Sequence, residues 1–467
     1  MRVIVAILAG GRGERLWPTS RRRLPKQFLR IIGQESFLQQ AYQRACLLAS
    51  PCDILVATGE DHVALVSEQL PDLPPDRIVA EPVSRDTAAS VALAAAFADR
   101  IGPGPKVLVC MPADQVIFEQ RRFVEAMALA ITVATSEACP VLLGVPPTRP
   151  ETNYGYIERG EALRDGAFTV RRFHEKPDLT RASEYLAAGN FLWNSGMFVC
   201  RTDTLRQALE THLPALARAV ADLDPHASRD TILAAMEALP RVSLDYGLLE
   251  RMERVLVVPA AMAWDDVGNW DALLRLHPRD DGGNVLRGRV VASETYDSVV
   301  YGSADGRLIV THGVRDMVVV DTADSTLVVH RQALAGIRQA LEAVRAQGHG
   351  DYLEAAASLE AALPSEAGPD DPATVALGVL HWSDGPERTS VLRLAAGGQW
   401  WLPRDTARLC LLRGTGHLSH GLETRAMAAG EECAVPLASA SGFRFKADTG
   451  ALVLLDFRSE APSPPRA

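Results

Sequence analysis

Residues 8–28 read LAGGRGERLWPTSRRRLPKQF, and this stretch guides the interpretation of the whole chain. The apolar run at 3–8 that leads into it predicts a buried strand. Gly10, Gly11 and Gly13 follow, and a loop without Cβ atoms and with free access to positive φ can wrap around a phosphate with its N–H groups pointing inward. Six basic residues then lie between positions 12 and 26. The stretch therefore predicts a polyphosphate-binding loop. A plain surface turn would need neither so many glycines nor so many cations.

Two common phosphate-binding motifs do not fit this stretch. The P-loop requires a Lys-Ser or Lys-Thr pair at a fixed spacing after its glycines, and none is present. The dinucleotide-binding fingerprint requires a third glycine where Leu16 stands. The loop must belong to another class of phosphate-binding protein.

The stretch resembles the signature of sugar-1-phosphate nucleotidyltransferases, Gly-Gly-x-Gly-x-Arg-Leu-x-Pro followed by Pro-Lys. With Trp17 and the Pro-Lys-Gln-Phe at 25–28 it is most similar to the mannose-1-phosphate guanylyltransferases. The resemblance implies catalytic roles for Arg15 and Lys26. It also implies that the nucleotide is bound by this loop, through Leu8, Gly10, Gly11, Gly13, Arg15 and Lys26.

Composition narrows the class of protein. The chain has 467 residues, enough for two or three domains, and a net charge of −10 that argues against a general nucleic-acid-binding surface. Its 7 cysteines are scattered without a Cys-x-x-Cys pair, which favours free thiols in a cytoplasmic protein over disulfides or zinc. The first apolar run is too short for a signal peptide, and no run is long enough to span a membrane.

Strands and helices alternate over the first 143 residues. The predicted strands are 3–8, 54–58, 77–80, 107–110 and 141–145, and the predicted helices are 36–48, 61–70, 87–101 and 122–136. This alternation predicts an α/β fold with a mostly parallel sheet, in which ligands bind at the carboxyl ends of the strands. The resemblance implies a Rossmann-like, GT-A-type nucleotidyltransferase domain with a mixed sheet over residues 1–280.

Two segments after strands carry further nucleotide and metal candidates. The family pattern Glu-Pro-x-x-Arg-Asn-Thr-Ala, near the nucleobase, matches residues 81–88 and implies that Glu81 and Arg85 bind the nucleotide. Asp86 replaces the family's asparagine there, and with Thr87 it could equally cap the next helix. Asp114 follows the strand at 107–110, and carboxylates in such positions suit Mg²⁺, which prefers oxygen ligands.

The family's Asp-Val-Gly motif supplies the second metal candidate, Asp266, so the resemblance implies a catalytic Mg²⁺ site of Asp114 and Asp266. The neighbouring Asp265 is expected to point elsewhere if the segment is extended. Ala113 and Gln115 replace the serine and histidine that the family has beside its first metal aspartate.

Three further motifs resemble the family's sugar-phosphate site: residues 152–157, the Glu-Lys-Pro at 175–177 and the Trp-Asn-Ser-Gly-Met-Phe at 193–198. Lysine binds phosphate as a compact charge, and aromatic surface with a few polar groups suits a sugar. The predicted sugar-phosphate ligands are Tyr154, Gly155, Glu175, Lys176 and Asn194. Asp245, in a segment that resembles the family's Ser-Ile-Asp-Tyr, is expected to be structural.

After residue 280 the alternation of strands and helices gives way to short β-rich runs. Residues 281–348 contain short β-runs and a helix at 332–347, and resemble the β-helical tail of guanylyltransferases, which implies packing on the catalytic domain or in a homodimer. Residues 349–372 are predicted to be a linker, 373–460 resemble a cupin β-barrel and 461–467 are a predicted disordered tail. In two-function relatives the barrel is a mannose-6-phosphate isomerase, but residues 400–403 lack the expected histidine, so we predict a barrel without metal or isomerase activity.

The ordered motifs predict that GTP and α-mannose 1-phosphate are converted to GDP-mannose and pyrophosphate with Mg²⁺, without nucleic-acid or membrane partners. Two alternatives stay open from the residues alone. One is a sister enzyme with another sugar or nucleotide. The other is a weakly catalytic, nucleotide-sugar-binding regulatory subunit, which the changes at Asp86, Ala113 and Gln115 favour.

Overall fold

The structure is a computed structural model. It describes residues 1–354 except 12, 164–165, 222–232, 234–235, 238, 240 and 304–305, and beyond 375 it describes the backbone of nine β-strands with a few of their side chains. The chain divides into two compact units, Met1–Ala355 and Ala356–Ala467, which are considered separately. Within the described residues no helix combines the length and apolar character needed to cross a membrane.

A nine-stranded mixed sheet forms the centre of the first unit. From edge to edge its strands are β3 (Ile78–Glu81), β2 (Ile54–Gly59), β1 (Arg2–Ala9), β4 (Lys106–Pro112), β9 (Phe191–Arg201), β6 (Val141–Val145), β10 (Leu256–Pro259), β8 (Phe168–Glu175) and β7 (Gly155–Ala162). The first four run parallel, as the alternation of strands and helices predicts. The whole sheet is mixed, as the resemblance implies, because β7 and β8 form a hairpin and β9 runs antiparallel to β4, β6 and β7.

Helices cover both faces of this sheet. They are α1 (Phe37–Cys46), α2 (Val63–Gln69), α3 (Thr87–Arg100), α4 (Gln120–Glu137), α5 (Leu179–Ala188), α6 (Thr202–His212), α7 (Pro214–Ala221), α8 (Leu244–Gly247) and α9 (Leu273–Leu276). The four predicted helices are confirmed with small shifts at their ends. Ser36, for example, caps α1 in a capping box with Gln39 rather than belonging to the helix. The alanine-rich α3 is buried along most of its length, which explains its weak amphipathic pattern.

A small β-helix follows the sheet domain. Strands β12 (Val285–Arg287), β14 (Val299–Tyr301) and β16 (Met317–Asp321) stack in parallel, as do β13 (Val290–Ser293) and β15 (Ile309–His312), and β17 (Thr326–His330) closes on β16. Helices α10 (Ile337–Ala346) and α11 (Asp351–Glu354) end the unit.

One apolar cluster joins the β-helix to the sheet domain: Val299, Val318, Ile337 and Leu353 pack with Leu16 and its neighbours. The predicted linker at 349–372 is wrong at its start, because burial of Leu353 in that cluster holds residues 351–354 in a helix. The rest of that linker lies outside the described residues.

Two antiparallel sheets make up the described part of the second unit. One is formed by β18 (Ala376–Ser383), β19 (Arg388–Leu394), β26 (Ala451–Phe457), β21 (Thr406–Arg413) and β24 (Glu432–Ala434), and the other by β20 (Gln399–Trp401), β25 (Arg444–Ala447), β22 (Thr415–His420) and β23 (Glu423–Ala428). The side chains at 400–403 and the tail at 461–467 lie outside the described residues, so the predictions made for them remain predictions.

Candidate active site

The signature loop leaves the end of β1 and depends on glycine at one position in particular. Gly13 has a φ of +61°, and a Cβ there would lie 2.3 Å from the Cβ of Lys26. Only glycine satisfies both the backbone conformation and this close approach. Gly10 and Gly11 line the adjacent cleft. Arg15 is half-buried and makes no hydrogen bond or ion pair within the described part of the chain.

The basic residues that follow the glycines divide into different roles. The side chain of Arg21 is buried and donates to both carboxylate oxygens of Asp324, at 3.0 and 2.6 Å. Arg22 pairs with Glu354 at 3.2 Å. The prediction that the whole basic cluster cradles phosphate is therefore wrong for these two arginines, because their charges hold the loop against the β-helix domain.

Lys26 connects the two predicted metal ligands. Its ammonium is buried and donates to Asp114 Oδ2 at 2.8 Å and to the carbonyl oxygen of Asp266. Asp114 follows β4, and Asp266 follows β11 (Trp264–Asp265), which pairs with β5 (Val116–Ile117) in antiparallel register. This pairing brings both aspartates to one place. Burial raises the pKa of Asp266, and the nearby Lys26 charge opposes that rise.

Asp265 points away from this assembly, as expected for the neighbour of Asp266 in an extended segment. Its carboxylate is buried and accepts from Arg275 Nε and Nη2 at 2.8 and 3.0 Å. It also accepts from the Val267 N–H at 2.8 Å. Asp265 is thus a structural ion-pair partner.

The larger cleft, of about 690 Å³, lies at the carboxyl ends of the parallel strands and is lined by Leu8, Gly10, Gly11, Glu81 and Asp114 among others. Glu81 is buried, and its Oε1 has no hydrogen-bond partner among the described residues. Burial raises the pKa of Glu81, while the Ser90 hydroxyl acts in the opposite direction. A buried acceptor without a donor is costly, and it suits a ligand that supplies N–H groups.

Arg85 is not among the described residues that line the two clefts, although the sequence predicts that it binds the nucleotide. Its guanidinium donates to the carbonyl oxygens of Met236 and Glu237, at 2.9 and 2.6 Å. The loop that carries Arg85 is therefore tied to the segment near residue 236. Its predicted contact with the nucleotide remains a prediction that this geometry does not support.

The smaller cleft, of about 420 Å³, contains four of the predicted sugar-phosphate ligands: Gly155, Glu175, Lys176 and Asn194. A Cβ at Gly155 would lie 2.8 Å from Glu175 Oε2, so glycine makes room for the carboxylate. Lys176 is ion-paired with Glu175. Asn194 Nδ2 donates to Asp245 Oδ1 at 3.1 Å.

The two clefts are contiguous, because Asp86, Asn194, Arg241 and Asp245 line both. The sequence predicts a structural role for Asp245, but this residue lies at the junction of the two clefts, and burial raises its pKa. The Ser-Leu-Asp-Tyr motif was the one sequence feature that pointed to Asp245. No sequence feature pointed to Arg241, because nothing in its sequence context distinguishes it from a surface arginine.

Tyr154 lies away from the smaller cleft. It is buried, its ring packs against Trp193 and Trp264 with centroids 5.3 and 5.1 Å away, and its hydroxyl interacts with Asp266. Burial raises the pKa of Tyr154. The prediction that Tyr154 binds the sugar phosphate conflicts with this placement. Trp193 and Trp264 hold the ring, and the hydroxyl contacts Asp266 and accepts from Arg149 Nη2 at 3.3 Å.

Two departures from the family pattern have structural explanations. The Gln115 side chain is buried, donates to the Ser195 carbonyl at 2.7 Å and accepts from the Trp264 indole at 2.9 Å. Asp86, at a φ of 71°, accepts from the Thr87 N–H at 2.7 Å and begins α3. Gln115 therefore replaces the family's histidine with a structural bridge, and Asp86 caps a helix while facing both clefts.

Comparison with known proteins agrees with this arrangement. The profile of the family described as nucleotidyl transferase matches residues 4–281, and that of the MannoseP isomerase/GMP-like beta-helix domain matches residues 288–343. A mannose-1-phosphate guanylyltransferase of Klebsiella pneumoniae is 38% identical over 360 residues, which are 75% of this chain and 75% of that protein. The chain belongs to the mannose-1-phosphate guanylyltransferase family.

Other members show the same extent of similarity. The alginate biosynthesis protein AlgA of Pseudomonas putida is 38% identical over 358 residues, covering 74% of this chain and 72% of that protein. A crystal structure from Thermus thermophilus, described as a mannose-1-phosphate geranyltransferase, matches with a TM-score of 0.67 and 36% identity and covers 74% of this chain and all of that one. Membership of the guanylyltransferase family thus confirms the resemblance and the sheet-plus-β-helix architecture.

Proposed function

We propose that this chain forms GDP-mannose and pyrophosphate from GTP and α-mannose 1-phosphate. The observation that carries the proposal is the meeting of two clefts at Asn194 and Asp245, one with the signature loop and Asp114, the other with Glu175 and Lys176. Two substrates bound in them would place the sugar phosphate beside the triphosphate. The guanylyltransferase and AlgA relatives support GDP-mannose supply for polysaccharide synthesis.

The larger cleft binds GTP in this proposal. Gly10 and Gly11 offer backbone N–H groups to the phosphates, and the unpaired Arg15 adds a cation. Glu81 accepts from the guanine base, whose N1–H and 2-amino group are donors that adenine does not present on that edge. The support for this contact is the partnerless, buried Oε1 of Glu81 in the cleft wall.

Asp114 and Asp266 fit a Mg²⁺ ion. Mg²⁺ usually binds through one or two carboxylates and completes its coordination with phosphate oxygens and water. The two aspartates already meet at a cation, because the Lys26 ammonium donates to Asp114 Oδ2 at 2.8 Å and to the Asp266 carbonyl oxygen. A bound Mg²⁺ would neutralise charge on the α-phosphate during transfer.

The chain's own residues position the second substrate. Lys176 holds the sugar phosphate, while Glu175 and Asn194, itself fixed by Asp245, bind sugar hydroxyls. A phosphate oxygen of mannose 1-phosphate is already ionised at neutral pH, so it attacks the α-phosphorus without a protein nucleophile. Lys26 stabilises the charge that develops on the phosphates, and catalysis consists of positioning and electrostatic stabilisation.

Pyrophosphate release tests this proposal. The full chain is incubated with Mg²⁺, each of the four nucleoside triphosphates, and either mannose 1-phosphate or glucose 1-phosphate. Release with GTP and mannose 1-phosphate alone is expected. Faster release with another pair would contradict the assigned substrates. Binding of GDP-mannose without release from any pair would contradict the assigned activity.

We also propose that the second unit is a cupin-like barrel without isomerase activity. Its two antiparallel sheets, of five and four strands, match the double-sheet arrangement of cupins. The purified chain should show no conversion of mannose 6-phosphate to fructose 6-phosphate, even with Zn²⁺, Co²⁺ or Mn²⁺ added. Measurable isomerisation would contradict this proposal and leave the guanylyltransferase proposal untouched.

A further inference from the structure

A cation from the β-helix domain enters the larger cleft. Among the described residues that line this cleft, Arg338 alone belongs to that domain, and Gly10, Gly11 and Asp114 line the same space. Arg338 lies in the first turn of α10 and is exposed. The β-helix domain therefore contributes a side chain to the nucleotide cleft, whereas the sequence predicts nucleotide ligands in residues 1–280 only.

The face of α10 that carries Arg338 is directed at the signature loop. Arg338, Leu341 and Arg345 are spaced at i, i+3 and i+7, so they lie along one side of the helix. Leu341 is buried in the cluster that contains Leu16, and Arg345 pairs with Glu14 at 3.3 Å. Since two helical turns span roughly 10 Å, Arg338 continues the same side from Glu14 toward the cleft.

The charge of Arg338 is available to a ligand. Arg338 makes no hydrogen bond or ion pair with any residue that the structure describes, whereas Arg345 on the same face is paired. Arg241, the other described arginine in the wall of the larger cleft, also lines the smaller one. Among the described arginines of the cleft wall, Arg338 is therefore the unpaired cation that lines the larger cleft alone.

We propose that Arg338 binds the β- and γ-phosphates of the nucleoside triphosphate, and so the pyrophosphate that leaves. The proposal rests on the proposed function. An oxygen of the sugar phosphate forms the new bond to the α-phosphorus, the bond to the bridging oxygen of the β-phosphate breaks, and its electron pair stays on pyrophosphate. The guanidinium offers two parallel N–H donors to that group, and Arg338 lines the larger cleft but not the smaller one, in which the sugar is proposed to bind.

Kinetics in both directions test the proposal with Arg338→Gln in the full chain. The KM for GTP and the KM for pyrophosphate in the reverse reaction should each rise about tenfold or more. The KM for mannose 1-phosphate and the Kd for GDP-mannose should stay within about twofold, because neither ligand contains the β,γ-group. Arg338→Lys should give a smaller rise than Arg338→Gln. The matched control is Gln339→Ala, the next exposed residue of α10, which should change none of these values.

Two results would overturn the proposal. One is an unchanged KM for both GTP and pyrophosphate. The other is an equal loss of GDP-mannose affinity, which would place Arg338 on the shared phosphates or show that α10 had moved. Calorimetric titration with magnesium pyrophosphate measures the same loss of affinity without turnover. Failure of the proposed function would instead appear in the unsubstituted chain, as an absence of GDP-mannose from any substrate mixture.

Discussion

Asp265 and Asp266 are adjacent in the chain, but their carboxylates have different partners. Asp265 accepts two hydrogen bonds from Arg275 in a buried ion pair. Asp266 has no such cationic partner for its carboxylate among the described residues, and Lys26 donates instead to its carbonyl oxygen. At the residue scale, a stabilising carboxylate and a functional one therefore occupy consecutive positions.

Matched substitutions of these aspartates should have opposite effects. Asp266→Asn should lower kcat at least about a hundredfold, because a charged metal ligand is lost, and leave the melting temperature equal or higher. Asp265→Asn should destabilise the fold by about 3 kcal/mol, since it leaves Arg275 without its buried partner. Turnover at constant substrate and calorimetric melting measure the two effects. Near-normal turnover of Asp266→Asn would remove the metal assignment.

Glu81 should link nucleotide choice to pH-dependent stability. Burial raises the pKa of Glu81 above its ordinary value of 4.5, so the folded state keeps this proton to a higher pH than the unfolded state does. The free energy of unfolding therefore falls as the pH rises from 4.5 through the raised pKa. Glu81→Gln should therefore raise the melting temperature by a few degrees at pH 7 and by less near pH 4.5.

Glu81→Gln should also reduce the preference for GTP over ITP, which lacks the 2-amino group, about tenfold. An unchanged GTP preference would remove Glu81 from base recognition.

At the scale of elements, the sequence predicted the position of a site residue where its motif directly follows a strand. The glycine loop and Asp114 could be placed because the carboxyl ends of parallel strands meet at one edge of the sheet, whereas Asp266 and the Glu-Lys pair could be placed only by their resemblance to the family's motifs. Arg21 and Tyr154 could not, because their roles depend on partners 303 residues away in one case and on an aromatic layer from three segments in the other. Sequence distance hides contacts of this kind.

Gly13 should be the most demanding position of the signature loop. Gly13→Ala strains a positive φ and drives a methyl group into Lys26, so we expect kcat/KM for GTP to fall at least about thirtyfold. Gly33→Ala is the control. Its φ is +84° and a Cβ there meets open space, so it carries backbone strain without the clash. It should cost about 1 kcal/mol of stability and little activity, and equal activity losses would contradict a specific role for Gly13.

At the scale of the molecule, the end of the first unit supports the signature loop. The Arg22 and Arg23 N–H groups donate to the carbonyl oxygens of Leu353 and Glu354, at 3.0 and 2.8 Å. The Trp17 indole donates to the Tyr352 carbonyl at 3.0 Å. Residues 1–355 alone should therefore retain guanylyltransferase activity within about threefold, because every described site residue lies within them. Truncation after residue 330 should abolish it, and an active 330-residue fragment would contradict this support.

The expectation that the β-helix domain packs in a homodimer can be tested at an exposed apolar pair on this domain. Val291 and Val310 lie side by side in register on adjacent parallel strands and are 53% and 62% exposed. A subunit interface there would remove this apolar pair from water. Light scattering of Val291→Asp/Val310→Asp should show a monomer. Leu179→Asp, at an exposed apolar residue of α5, should leave the dimer intact. A monomeric unsubstituted chain would exclude this interface.

In the proposed reaction a sugar phosphate, and not water, attacks GTP. Phosphorus NMR of one mixture of the full chain with Mg²⁺, GTP and mannose 1-phosphate follows both possible attacks at once. The signals of both substrates should disappear together as those of GDP-mannose and pyrophosphate grow in equal amounts. Growth of GMP and pyrophosphate with mannose 1-phosphate unconsumed, or no change at all, would contradict the proposed reaction.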